Sequence, residues 1–220
     1  MKAHNVVKFY VLTNVLKNVI RTGWKNWHVN AERLESVAEH VYGVQMLALA
    51  MYKTYQYDID ITKVMYMLAV HELEEVVIGD LTYLDISREE KEILGHKAVE
   101  SILSNLVSAD DIKKLIFEFD SRESVEAVFA YHCDKLECDL QCKLYDEAGY
   151  VDPFNQGDSA DHSPEVMKRL QTGEITWSNS WMNHDRPKYL DDDNFMEVLD
   201  YAIDNPISLK YKNKNKTISE

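Results

Sequence analysis

All four prolines of this chain, Pro153, Pro164, Pro187 and Pro206, fall after residue 152. Proline breaks helix interiors and central strands alike. A Pro-free run of that length, with few glycines in it, is what a succession of helices looks like. The apolar periodicity agrees. Val37, Val41, Val44, Ala48, Met51 and Tyr55 recur at three- and four-residue steps, as do Val64, Leu68, His71 and Glu75. Leu94, Ala98 or Val99, Ile102 and Leu106 continue the pattern.

Helix starts are marked by side chains able to take up orphan amide donors. Ser36 with Glu39, and Ser87 with Glu90, each fit the capping box. Thr62 and Ser121 are candidate caps for the helices after them. Gly79 stands where a helix over 62–78 should stop. The expected helices are 4–20, 36–57, 62–78, 88–106, 109–118 and 122–147, with shorter ones at 164–171 and 193–204 and no strand. The reading is all-α: one helical domain over 1–150, then a less regular extension over 151–220 that packs on it and forms no independent domain. Trp177 and Trp181, at i,i+4 spacing, are expected to anchor that extension. The tail from Lys210 to Lys216 reads as a solvated basic end.

Charge excludes whole classes of partner. The 220 residues carry 24 basic and 38 acidic side chains, a net charge of −14. Phosphate-backbone affinity comes from Lys and Arg, so nonspecific nucleic-acid binding is excluded, as is an anionic membrane surface. The apolar stretch Val41–Tyr52 is too short to span a bilayer, and the N-terminus has no secretory pattern. Cys133, Cys138 and Cys142 are an odd set within ten residues, without the spacing of a disulfide framework or a zinc site. They read as reduced thiols of a cytoplasmic protein.

The chemistry gathers in His71-Glu72-Leu73-Glu74-Glu75, inside a run of apolar helix. At about 100° per residue, Glu72 lies about 100° round from His71 and Glu75 about 40°. Three side chains that bind metals or move protons therefore share an inward flank. Carboxylates buried without partners cost several kcal/mol, and a cation compensates them; a solvated acidic patch is the competing explanation. Glu39-His40 lies one turn into the helix that starts at Ser36, a second buried imidazole beside a carboxylate. A third helix should add another carboxylate. The candidates on 122–147 are Asp134, Glu137 and Asp139, among which spacing does not choose; His132 reads as core.

These pieces together resemble the HD-domain phosphohydrolases. The carriers are Arg33-Leu34-Glu35-Ser36-Val37-Ala38-Glu39-His40, His71-Glu72-x-x-Glu75-Val76-x-x-Gly79-Asp80-Leu81 and Cys133-Asp134-Lys135-Leu136, with Arg21-Thr22-Gly23-Trp24 upstream. Within the family the chain is most similar to the 5′-deoxynucleotidase branch, over roughly residues 6 to 147. The resemblance implies an HD-domain helical bundle. It implies metal ligation by His40, His71, Glu72 and Asp134, a catalytic Glu75 and the following Asp80. It also implies a small-molecule nucleotide substrate and a homodimer as candidate assembly. The chain departs from the family's name-giving His-Asp pair, which here is His71-Glu72, one methylene longer. Two nitrogens and two oxygens with open positions suit one divalent ion such as Mn²⁺, Co²⁺, Fe²⁺, Ni²⁺ or Zn²⁺.

The expected activity is removal of the 5′-phosphate from (deoxy)nucleoside monophosphates by water made acidic on the ion. Glu75 would orient or deprotonate that water, and Asp80 would protonate the leaving oxygen or hold a sugar hydroxyl. Arg33 and Arg21 are the candidate phosphate binders, Arg33 the preferred one, because a guanidinium fork matches phosphate oxygens. Trp24 and Trp27 are candidates to stack on a base, with hydrophobic packing as the competing reading. Two alternatives stay open. One is another nucleotide phosphodiesterase or pyrophosphohydrolase, which would want a second His-rich cluster. The other is an HD-fold binding or regulatory protein that has lost turnover, kept in view by Glu72.

Overall fold

A computed structural model describes residues 2–82, 84–104, 106, 108–156, 163–209, 211–212 and 217–218. The chain is all-α and divides into two compact units. The first comprises Met1–Lys25 and Arg33–Glu137, the second Asn26–Glu32 and Cys138–Glu220.

The first unit begins with α1 (Lys2–Thr13), which runs into a 3-10 turn at Asn14–Lys17, and the short α2 (Thr22–Asn26). Between them residues 19–21 run antiparallel to 35–37: Val37 N–H donates to Val19 O and Arg21 N–H to Glu35 O. This pairing fixes where Arg21 sits. Helix α3 (Val37–Tyr55) opens on the expected capping box, in which Ser36 Oγ accepts from Glu39 N–H and Glu39 Oε2 accepts from Ser36 N–H. Its buried stripe is Val37, His40, Val44, Ala48 and Met51, so His40 occupies a core position.

Helix α4 (Ile61–Val70) packs on α3. Its cap is Asp60, not Thr62: Oδ1 of Asp60 accepts from the N–H groups of both Thr62 and Lys63. A carboxylate one position outside the helix can reach two orphan donors, whereas Thr62 is already inside it. The expected helix over 62–78 is interrupted. After Val70 the chain makes a turn through His71–Glu74 and resumes as α5 (Glu75–Ile78). The break has a local cause. His71 Nδ1–H donates to Leu68 O and Leu73 N–H donates to Val70 O, tight i−3 bonds that take up the last carbonyls of α4. Gly79 ends α5 at φ 73°, a conformation that suits glycine.

Helix α6 (Arg88–Leu103) opens on the Ser87–Glu90 capping box and packs on α5 and α7 (Asp110–Ser121). Leu73, Val99, Ile102, Leu103 and Ile116 form one apolar cluster beneath the motif turn. Helix α8 (Val125–Glu147) begins behind Ser124, whose Oγ accepts from Ala127 N–H. Ser121, the expected cap, closes α7 instead. The division between the units falls inside α8.

The second unit holds the rest of α8 with α9 (Pro164–Thr172), α10 (Trp177–Asp185) and α11 (Asp193–Asp204). Trp27 packs edge-on against Trp177 and Trp181, ring centroids 5.3 and 4.2 Å apart. The i,i+4 tryptophans of α10 are thus part of an aromatic cluster of their own unit. Phe195, Leu199 and Ala202 form the buried face of α11. Tyr211–Lys212 pairs antiparallel with Thr217–Ile218, a two-residue strand pair where no strand was expected. The remainder of the basic run from Lys210 to Lys216 lies outside the described residues. Among the described residues no helix is long and apolar enough to cross a membrane.

Because α3 carries a site residue on its first turn, its cap is a stability determinant. Ser36→Ala is expected to remove about 1 kcal/mol and lower the thermal midpoint by about 2–4 °C. A thermal melt followed by circular dichroism that shows no shift would contradict the role given to this cap.

Candidate metal centre

Four side chains from α3, the motif turn and α8 meet in the first unit. One ligating atom from each of His40, His71, Glu72 and Asp134 lies within 4.8 Å of the others. His40 Nε2 is 3.0 Å from Asp134 Oδ1 and 3.7 Å from Glu72 Oε1. His71 Nε2 is 3.8 Å from Glu72 Oε1 and 4.0 Å from Asp134 Oδ1. Metal–ligand bonds of about 2.0–2.2 Å would place neighbouring donors about 3–4 Å apart.

The lone pairs make the stronger case. His71 Nδ1 donates to Leu68 O at 2.8 Å, which fixes the tautomer and leaves Nε2 as an acceptor. Nε2 is buried and has no hydrogen-bond partner, and burial holds the ring below its ordinary pKa, hence neutral. A buried, unprotonated imidazole nitrogen facing two carboxylates is a metal ligand's arrangement, with the carbonyl behind it as support. His40 is held from behind by Glu137, whose Oε2 is 2.6 Å from Nδ1. Burial opposes protonation of His40, yet hydrogen bonds to Asp134 and Glu137 lift its pKa to about 9. Without metal, the Nε2 proton thus supplies positive charge that a cation would supply in its place. The residues present fit a divalent ion.

The carboxylates have been driven apart. Burial would raise Glu72, but the neighbouring His71 ring and the charges of Lys91 and Arg21 hold it at about 2. Asp134 lies well below its ordinary range, lowered against burial by Lys135 and His40. Glu75, 1% exposed, is pushed well above the usual range by burial and the charges of Glu72 and Asp80. Its Oε1 accepts from Lys91 Nζ at 3.2 Å, and its Oε2 is buried without a partner. Two carboxyls three residues apart with opposite shifts divide as charged ligand and proton carrier.

The other expected residues are placed as follows. Arg21 Nη1 is 3.3 Å from Glu72 Oε1, at the edge of the donor set. Arg33, with its side chain 78% exposed, forms a surface ion pair with Glu39. Trp24 is buried, and its Nε1–H donates to Glu35 Oε2 at 2.8 Å. Asp80 Oδ2 accepts from Thr22 N–H at 2.5 Å and Asp80 O from Thr22 Oγ1 at 2.6 Å, tying the start of α2 to the turn after Gly79. Of the three carboxylates left open on the last helix of the first unit, Asp134 joins the imidazoles and Glu137 stands behind His40. Asp139 belongs to the second unit and accepts from Tyr189 Oη–H at 2.6 Å.

Sequence reasoning missed Lys91, which also donates to Leu81 O at 2.8 Å. In Arg88-Glu-Glu-Lys-Glu it reads as one more charge on a solvated face, and only the fold turns it toward Glu75. It also missed Glu35, raised from the usual 4.5 to about 7 by burial and the charge of Glu137.

A family model described as HD domain matches residues 13–170. The bovine protein named 5′-deoxynucleotidase HDDC2 is 30% identical over 152 residues, 66% of this chain and 70% of that protein. Its zebrafish counterpart is 31% identical over 182 residues, 76% of this chain and 86% of that one. Among solved structures, a predicted metal-dependent phosphohydrolase from Magnetospirillum magnetotacticum superposes with a TM-score of 0.63 at 19% identity, covering 92% of this chain and 94% of that one.

The Glu35 shift has a consequence for stability. A carboxyl whose folded pKa exceeds its unfolded value stabilises fully below the unfolded pKa and loses that contribution as pH rises through the folded one. Between pH 4.5 and about 7 the chelator-treated protein is therefore expected to lose stability that Glu35→Gln does not lose. Urea titrations of both proteins across that window check it; parallel curves would refute the assignment.

Proposed function

Since the chain belongs to the HD-domain family, we propose that it is a divalent-metal-dependent phosphohydrolase that removes the 5′-phosphate from (deoxy)nucleoside monophosphates. The observation that carries this reading is the orphaned Nε2 of His71, facing Glu72, Asp134 and His40 with Glu75 beside the set but outside it. The names of the bovine and zebrafish relatives supply the substrate class.

His40, His71, Glu72 and Asp134 would hold the ion. A divalent cation so held lowers the pKa of water from 15.7 toward about 7 and neutralises charge on a phosphoryl oxygen. The protein's own groups do the rest. Glu75 Oε2, buried and unpartnered, accepts the proton of the attacking water, and Lys91 fixes the carboxyl through Oε1. A carboxyl whose hold on a proton is strengthened by burial is suited to taking and returning one. Arg21 is the cation at hand for the phosphate, since its guanidinium already reaches the donor set. Arg33 would act there only by leaving Glu39. Asp80 would hold the Thr22 end of the site in place, with its carbonyl and carboxyl both engaged. Trp24 supports Glu35 from within the core.

Phosphate release from a panel of deoxynucleoside monophosphates with Mn²⁺ or Co²⁺, abolished by chelation, tests the reading. Glu75→Gln is expected to lose about 10²–10⁴-fold in kcat with metal retained. His71→Ala is expected to lose both metal and turnover with its circular dichroism intact. Full turnover by either variant, or chelator-indifferent activity, would overturn the assignment.

A further inference from the structure

One member of the motif turn, Glu74, has no part in the centre described above, yet it is placed against it. Glu74 lines a cavity of about 270 Å³, just below the roughly 300–1,000 Å³ common for small-molecule pockets. His71, Glu72 and Asp134 of the donor set line the same cavity, while Val99, Ile116 and Phe119 give it apolar wall. A phosphomonoester with its phosphate at the donor set would extend its organic half here.

The fold makes room for Glu74 specifically. Gly95 lies in the interior of α6, where glycine is unfavourable and its presence asks for a packing or functional reason. A Cβ at that position would lie 3.2 Å from Glu74 Cγ and 3.5 Å from its Cβ. The missing side chain is thus the notch into which Glu74 fits. Having been admitted, the carboxyl keeps one oxygen unsatisfied: Oε2 is buried and has no hydrogen-bond partner. Such a group is costly unless something supplies a donor. The titratable groups beside it in the wall are engaged elsewhere or exposed, Arg88 among the exposed. His96 Nε2 and Asp120 Oδ2 pair at 2.9 Å, Lys91 is taken by Glu75 and Leu81, and Glu92 is exposed to solvent.

We propose that Glu74 is a substrate-binding residue whose carboxyl accepts a hydrogen bond from a donor on the organic half of the phosphomonoester, a sugar hydroxyl or an exocyclic amine of a nucleobase. The proposal rests on the phosphohydrolase reading and adds the residue that would discriminate among its substrates.

The test compares the full-length wild-type protein with Glu74→Ala and Glu74→Gln. Substrates are 2′-deoxyadenosine 5′-monophosphate, its inosine analogue without the exocyclic amine, 2-deoxyribose 5-phosphate and p-nitrophenyl phosphate. Glu74→Ala is expected to lower kcat/KM for the deoxyadenosine nucleotide about three- to tenfold, chiefly through KM. The loss on p-nitrophenyl phosphate should be several-fold smaller, and Glu74→Gln, which keeps a carbonyl acceptor, should recover most of it. Persistence of the loss on 2-deoxyribose 5-phosphate assigns the sugar hydroxyl; its absence there and on the inosine analogue assigns the amine. Equal losses on all four compounds, or none, overturn the proposal. Calorimetric binding of 2′-deoxyadenosine 5′-monophosphate to chelator-treated protein judges Glu74 separately from turnover. If the wild type hydrolyses nothing, the phosphohydrolase reading fails, and weaker binding by Glu74→Ala than by wild type still upholds this inference. Equal binding, or none by either protein, refutes it.

Discussion

Charge buried without water is the constraint around which the first unit is arranged. His40, His71 and Asp134 are each no more than 5% exposed, and Glu72 is largely covered. Groups of this kind stay in a protein interior only if each has a compensating neighbour. Every one does: Glu137 behind His40, Leu68 O behind His71, Arg21 at Glu72, and Lys135 Nζ 2.7 Å from Asp134 Oδ2. What the surroundings leave over is a lone pair at His71 Nε2, which a divalent cation would satisfy.

The same constraint explains the interrupted helix. An unbroken run over 62–78 would send the last carbonyls of α4 to amides one turn on. Instead the His71 imidazole takes Leu68 O, so one hydrogen bond both ends the helix and sets the ring's tautomer. The turn that follows carries Glu72 to the donor set, Glu74 to the cavity and Glu75 to Lys91. Three carboxyls within four residues thereby occupy three different surroundings. Their acidities separate accordingly, with Glu72 near 2 and Glu74 raised to about 8 by burial and the charge of Glu72.

The resemblance that named His40, His71, Glu72 and Asp134 named residues that the fold does bring together. Spacing alone had left Asp134, Glu137 and Asp139 equivalent, because a helix pattern does not say what stands opposite each face. The order of the two arginines was equally out of reach. Arg33 adjoins the motif in sequence but projects into solvent, whereas Arg21 is carried to Glu72 by the pairing of 19–21 with 35–37. Lys91 was invisible for a related reason: a lysine among glutamates reads as a solvated face unless a buried carboxyl is known to lie against it. Local capping was legible where two side chains cooperate, at Ser36 and Ser87, and misread where one carboxylate outside the helix outcompeted a hydroxyl inside it, at Asp60.

By itself the sequence determined the helical class, through the absence of proline before residue 153 and the three- and four-residue recurrence of apolar side chains. It also carried the chemical types of the site, since imidazoles and carboxylates in apolar helix demand compensation whatever the fold. Only the tertiary structure decided which carboxylate faces the imidazoles, which cation reaches them, and that Gly95 opens a notch for Glu74. Those outcomes depend on contacts between residues far apart in the chain, and periodicity reports only the face a residue shares with its own neighbours.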